Sequence, residues 1–345
     1  MALADYHASS GDWREQLRKN EHKTRLVIAI FFGVYLGIGL LADTMILVYL
    51  YPTASIEECF FALITLRVIP YATLLMLGLG IVSLLITYTL YDRIMLLGTN
   101  YRQITPETAK SLQEKQLYNV VEEMKVAAGL KYMPKVYLIE ANYMNAFASG
   151  YSEKSAMVAM TRGLMEKLDR AEMQAVMSHE LSHIRHHDIK LTLTVAVLSN
   201  ILLIVIDAMF YSMMYKRDRR DSNSNRLFMV ILLLRYLLPL ITVVLALFLS
   251  RTREYMADAG AVELMRDNEP MARALLKITE DHQQHAEQYS HEYGETPHEQ
   301  VRQASYLFDP SSIDPIKSLS NAFSTHPTLD QRLRALGFKR KAKSV

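Results

Sequence analysis

The sequence predicts an α+β membrane protein: a helical anchor of about four spans carrying a mainly helical polar domain with a small β-sheet. Two observations lead there. Half of the 345 residues are hydrophobic, and the excess is gathered in four long apolar runs. The polar remainder mixes helical spacing with short strand-like stretches. Formal net charge is only +2, which gives no reason to expect a nucleic-acid partner, and the one cysteine, Cys59, excludes both an internal disulfide framework and a Cys-rich zinc site.

Leu26 to about Tyr49, Ile69–Tyr91, Leu191–Tyr215 and Leu227–Leu249 each match the roughly 20 apolar residues that cross a bilayer. The first follows a basic flank (Arg14, Arg18, Lys19, Lys23, Arg25) without a small-x-small cleavage site, so it reads as an uncleaved anchor. Glu57 and Glu58 lie between the first two runs, with no Lys or Arg before Arg67, which places the N-terminus and the polar region after Tyr91 in the cytoplasm. The resulting division is a cytoplasmic extension (1–25), a first transmembrane pair (26–91), a first part of the polar domain (92–190), a second transmembrane or membrane-inserted hairpin (191–249) and a second part of the polar domain (250–345).

The second hairpin fits the charge rule poorly. Its loop "KRDRRDSNSNR" holds Lys216, Arg217, Arg219, Arg220 and Arg226 against Asp218 and Asp221, so the hairpin either crosses against its charge bias or enters the membrane only partly. Asp207 lies nine positions before Lys216 and Arg235 nine after Arg226, which puts the two at similar depth and predicts a structural ion pair.

Within the polar region, "SLQEKQLYNVVEEMKVAAGL" has the spacing of an amphipathic helix ending near Gly129, and "PKVYLIE" follows as a short strand. "SAMVAMTRGL" is a second strand candidate ending at Gly163. Asp169 with Glu172 forms a capping box that opens a helix through "RAEMQAVMSHELSHI".

On that helix His179 and His183 are i and i+4, so both imidazoles leave one face and can grip one ion. Glu180 lies about 100 degrees around, an offset suited to a carboxylate that reaches a water on the metal instead of the metal itself. Zinc lowers the pKa of such a water toward about 7, and a neighbouring Glu can take its proton and later pass it to a leaving amine. The spacing fits metal-assisted peptide hydrolysis. A catalytic zinc wants a third protein ligand. The metzincin pattern would place Gly at position 186 and His at position 189, where this chain has His186 and Ile189. A carboxylate ligand must come later, and "SRTREYMADAG" offers Glu254 and Asp258 at i and i+4: one to bind metal, the other to orient a ligand histidine. Taken alone, that pair also reads as a solvated acidic helix face.

Together these residues resemble the HtpX-type membrane zinc metalloproteases, relatives of the CAAX prenyl endopeptidases. "HELSH" looks like their catalytic helix and "SRTREYMADAG" like their glutamate-ligand helix. "NAFASG" (Asn145–Gly150) is similar to their substrate-proximal segment, and "STHPTLDQRLRAL" (Ser324–Leu336) to their C-terminal element. The resemblance implies a zincin-type, gluzincin-like catalytic domain with one zinc on His179, His183 and Glu254, Glu180 as general base and Asp258 orienting a ligand. It implies His326 and Arg332 facing the oxyanion, where a donor stabilises developing charge, and Asn145, Ala146, Phe147 and Ala148 lining a groove that holds an extended peptide by strand addition. It further implies protein substrates, chiefly damaged membrane proteins, in quality control and stress response at a bacterial cytoplasmic membrane. Oligomeric state is not legible.

Two features depart from the pattern. His186 and His187 stand where small or turn-forming residues are expected, and read as a helix-end cap. His282, His285, His291 and His298 lie in "DHQQHAEQYSHEYGETPHEQ", expected to be a flexible polar surface segment. Placement adds a constraint of its own. A span begins eight residues after His183 and another ends five before Glu254, so both ligands lie within roughly 12 Å of the membrane surface. A transporter carrying "HELSH" by accident leaves Glu254, His326 and Arg332 unexplained; a zinc-binding scaffold without turnover is opposed by an intact Glu180.

Overall fold

A computed structural model describes residues 6–8, 13–96, 99–150, 152–215, 222–295, 306–308 and 326–340. The loop cations Lys216, Arg217, Arg219 and Arg220, together with His298 and Ser324, lie outside the described residues. The chain divides into two units, residues 24–87 with 192–248, and residues 1–23 with 88–191 and 249–345.

The first of these is helical. Its helices are α1 (Trp13–Leu50), α2 (Ile56–Ile64), α3 (Tyr71–Leu96), α7 (Asp188–Tyr215) and α8 (Ser222–Met265), the longer of which run on into the other unit. Among the described residues three stretches are long and apolar enough to cross a membrane: His22–Leu50, Thr194–Tyr215 and Asn225–Met265. The expected second span falls on α3, which starts only after Pro70. The helix itself runs Tyr71–Leu96, and Tyr71–Ile86 is its apolar stretch among the residues whose side chains are described. α1 buries Val27, Phe31, Tyr35, Ile38 and Ala42 along one stripe. Buried Asp43 caps α3 by accepting from the N–H groups of Ala72 (2.7 Å) and Thr73 (2.9 Å). The expected ion pair forms: Arg235 Nε donates to Asp207 at 2.7 Å, with the guanidinium 4.1 Å from the Phe210 ring centroid.

The second unit carries a sheet in the order β2-β3-β5-β4, formed by Tyr101–Ile104 (β2), Lys135–Ile139 (β3), Ala146–Ser149 (β4) and Met157–Thr161 (β5). β3 and β5 run parallel and the other neighbours antiparallel, leaving β4 at an edge. β5 stops at Thr161, short of the expected Gly163, because the Thr161 side chain caps the short helix α5 (Arg162–Lys167). A small strand β1 (Tyr6–Ala8) pairs with β6 (Phe338–Arg340). α4 (Leu112–Ala127) buries Leu117, Val120 and Val121 at helical spacing and ends before Gly129, whose positive φ of 71° suits glycine. α6 (Arg170–Arg185) opens on the expected capping box, with Asp169 accepting from the Glu172 N–H and Glu172 from the Asp169 N–H, both at 2.9 Å. α6 shares one apolar core with α4, the sheet and α9 (Glu269–Gln284).

The histidine-rich stretch is not a loose surface segment through its first part. It is helical in α9 and α10 (Ala286–Glu295), and His282 is fully buried. Met271, Leu275, Ile278 and His282 fall four, three and four apart on the inner stripe of α9. The imidazole bonds the Ile278 carbonyl through Nδ1 (2.9 Å) and faces the Tyr293 hydroxyl through Nε2 (3.3 Å).

Candidate metal centre

Two antiparallel or crossing helices can focus side chains on one point only if their backbones come close, and Gly260 of α8 provides that contact with α6. A Cβ there would meet Ser182 Oγ at 2.3 Å and Ser182 Cβ at 2.8 Å. Nearly two turns earlier on α8, Glu254 faces the two histidines of α6. His179 Nε2 and His183 Nε2 are 3.2 Å apart, and Glu254 places Oε2 3.7 Å from the first and Oε1 3.6 Å from the second. Each residue offers a ligand atom, all within 4.8 Å of one another. Ligands about 2.0–2.1 Å from a tetrahedral zinc stand roughly 3.3–3.4 Å apart, so the two-nitrogen, one-carboxylate set fits that ion in chemistry and in size.

Both imidazoles are held from behind. Asp258, one turn after Glu254, lies 3.0 Å from His179 Nδ1 through Oδ1. Asp188, in the first turn of α7, lies 2.7 Å from His183 Nδ1 through Oδ2. A carboxylate on Nδ1 leaves Nε2 free to bind metal and fixes the ring. Asp188 was not among the expected residues. It reaches back because the chain reverses at His186, the α6 C-cap, and His187, whose φ of 55° is left-handed. Arg253 pairs with Asp188 from α8.

Glu180 is buried, and the Ala148 N–H turns toward its carboxylate without closing a full hydrogen bond. Burial raises its pKa well above the usual carboxylate range, the Glu254 charge adds to this, and Arg332 with the Ala148 N–H opposes it weakly. Burial, reinforced by His179, pushes His183 down to about 3, so the imidazole is neutral at pH 7, as a ligand must be.

His326 Nδ1 lies 3.3 Å from Glu254 Oε2. Thr328 caps α11 (Leu329–Ala335), which carries Arg332. Arg332 is buried and grips Asp258 with Nε (2.9 Å) and Nη2 (2.6 Å), while Nη1 donates to the Leu307 carbonyl (2.8 Å) and stands 3.8 Å from Glu254. Its fork is committed to Asp258 and Leu307 instead of being open toward a reacting oxygen. Asn145, Ala146, Phe147 and Ala148 are all buried at β4, with the Ala148 N–H turned to Glu180. His186 and His187 are absent from the cluster of ligand atoms.

Two histidines from one helix, a glutamate from another and a buried carboxylate beside them define a metallopeptidase site. Residues 111–338 match the model of peptidase family M48, and the chain belongs to that family, as a membrane protease of HtpX type. It is 38% identical over 320 residues to a "Protease HtpX homolog" of Helicobacter acinonychis, spanning 93% of this chain and 96% of that one. The corresponding protein of Dictyoglomus thermophilum is 35% identical over 282 residues, spanning 79% and 86%. The crystal structure of S. mikatae Ste24p aligns at 20% identity with a TM-score of 0.47, over 93% of this chain and 66% of that chain.

Proposed function

We propose that this protein is a zinc endopeptidase anchored by about four spans in a bacterial cytoplasmic membrane. It faces the cytoplasm and cuts misfolded or damaged membrane proteins as part of quality control under stress. The observation that carries the reading is the triangle of His179, His183 and Glu254 with unbonded Glu180 beside it. Zinc, when bound, supplies a Lewis acid for the scissile carbonyl and acidifies water at the site.

The residues divide the remaining work. Glu180 takes a proton from the attacking water and hands it to the leaving amine; burial raises its proton affinity, which favours the first of these transfers. His326 faces the oxyanion and stabilises its charge. Arg332 acts at one remove, holding Asp258 and through it His179. The substrate lies extended along β4, from Asn145 to Ala148. The short chain distances from His183 and Glu254 to the neighbouring apolar runs favour loops and tails of membrane proteins as substrates.

The test compares detergent-solubilised protein with its Glu180→Gln variant, each loaded with zinc, on an unfolded protein followed by gel. The expected outcome is chelator-sensitive cleavage by the parent and a loss of at least 100-fold in the variant with zinc content unchanged. Zinc retention without cleavage of any protein offered, membrane proteins included, would favour a scaffold.

A further inference from the structure

An edge strand offers unpaired main-chain donors and acceptors to any extended chain, and at β4 the chain's own Tyr306–Phe308 takes them. Phe147 and Tyr306 form an antiparallel bridge, with their rings edge to face at 5.7 Å between centroids. The Leu307 N–H donates to the Ala146 carbonyl at 2.9 Å. Asn145 holds Phe308 at both main-chain groups, accepting from its N–H through Oδ1 (3.2 Å) and donating to its carbonyl through Nδ2 (3.0 Å). Arg332 Nη1 donates to the Leu307 carbonyl. All four main-chain polar groups of Leu307 and Phe308 are therefore gripped, by partners that read no side chain.

That is how a protease of broad range holds a peptide: strand addition supplies sequence-independent affinity. Asn145, Ala146 and Phe147 among the gripping residues are those assigned to substrate above, and Ala148, two residues along the strand from Ala146, faces Glu180. We propose that Tyr306–Phe308 is an internal stand-in for substrate, an autoinhibitory contact that a protein chain must displace to pair with β4. The proposal rests on the proteolytic reading. Exchange costs little in hydrogen bonds, because each one the segment releases is remade by the incoming chain; what the substrate must outcompete is the tethered concentration of the segment and the burial of Tyr306 and Leu307, which its own apolar side chains must replace.

Opposed residues of an antiparallel pair lie about 4.5–5.5 Å apart at Cα, within the span of a disulfide. Phe147→Cys with Tyr306→Cys, in a Cys59→Ser background that removes the only native thiol, locks the segment when oxidised. The oxidised protein should cleave an unfolded protein at least tenfold more slowly than the same sample after reduction, with equal zinc content. Equal rates would overturn the proposal and make the segment a fixed wall of the cleft. If the reduced sample and the unmodified protein both bind zinc and neither cleaves, the proteolytic reading itself fails and takes the proposal with it. Hydrogen exchange on zinc-loaded Glu180→Gln gives a readout that needs neither turnover nor a disulfide. The Leu307 amide should exchange at least tenfold faster with excess unfolded protein present, and an unchanged rate would refute displacement.

Discussion

Asp188 ties metal binding to folding, through His183 on one side and Arg253 on the other. In Asp188→Asn the His183 ring loses the charge of its 2.7 Å partner. Loss of such a carboxylate weakens zinc about 10- to 100-fold, or about 1.4–2.8 kcal/mol. The same change takes the ion-pair partner from the buried Arg253 guanidinium and leaves it only the charge of Glu254. Breaking a buried pair from one side costs about 3–5 kcal/mol, so the metal-free fold should weaken by that order. The two effects come apart in Asp188→Asn with Arg253→Met, which removes the stranded cation: stability should largely return while zinc affinity stays low. Affinity is read by competition with a chelator of known strength in the Glu180→Gln background, and stability by denaturant unfolding with chelator in excess. Zinc affinity within twofold of the parent in Asp188→Asn would refute the claim that this carboxylate sets the His183 ring. Recovery of zinc affinity in the double variant would show that the effect runs through Arg253 instead.

Two further outcomes follow from packing and burial away from the ligands. Gly260→Ala drives a methyl into Ser182, should cost about 1–3 kcal/mol by overpacking, and should weaken zinc by parting the two helices that carry its ligands; adding Ser182→Gly removes the clash and should restore both, as chelator competition and thermal melts would report. Burial holds His282 down to about 4, against an ordinary value near 6.5, with the Ile278 carbonyl opposing. Between those values the native state binds fewer protons than the unfolded one, so this contribution is whole above about pH 6.5 and is lost as pH falls through 4. At about 1.4 kcal/mol per unit the loss comes to about 3–4 kcal/mol, and His282→Phe should flatten that part of a stability-against-pH curve.

The chemistry of the site was more legible than the way it is built. His179, His183 and Glu180 share one short helix, and Glu254 and Asp258 another, so helical spacing alone could pair them; the Asp207–Arg235 contact was legible for the same reason, because a hairpin makes depth a matter of counting. Asp188 was hidden because its role depends on a backbone reversal at His187 that changes which residues face the metal, and periodicity stops at such a point. His282 was hidden by company: three exposed-looking histidines and many polar residues outweighed its place on the Met271, Leu275, Ile278 stripe, where one buried position is set by angle and not by composition.

Tyr306–Phe308 escaped for a deeper reason. Nothing local marks three residues as a strand when their partner, β4, is about 160 residues earlier and their hydrogen bonds go to one side chain, one strand edge and one guanidinium. The sequence did show part of the other half of that contact, since Asn145 and Ala146 belong to the segment expected to hold a peptide, while Arg332 was expected to face the oxyanion. A protease that must act on many chains cannot read side chains, and main-chain donors that read nothing accept the nearest extended segment, including their own. Restraint of such a site is therefore a matter of competition between a tethered strand and a free one, and damaged proteins, which expose extended chain, are the class of competitor best able to win.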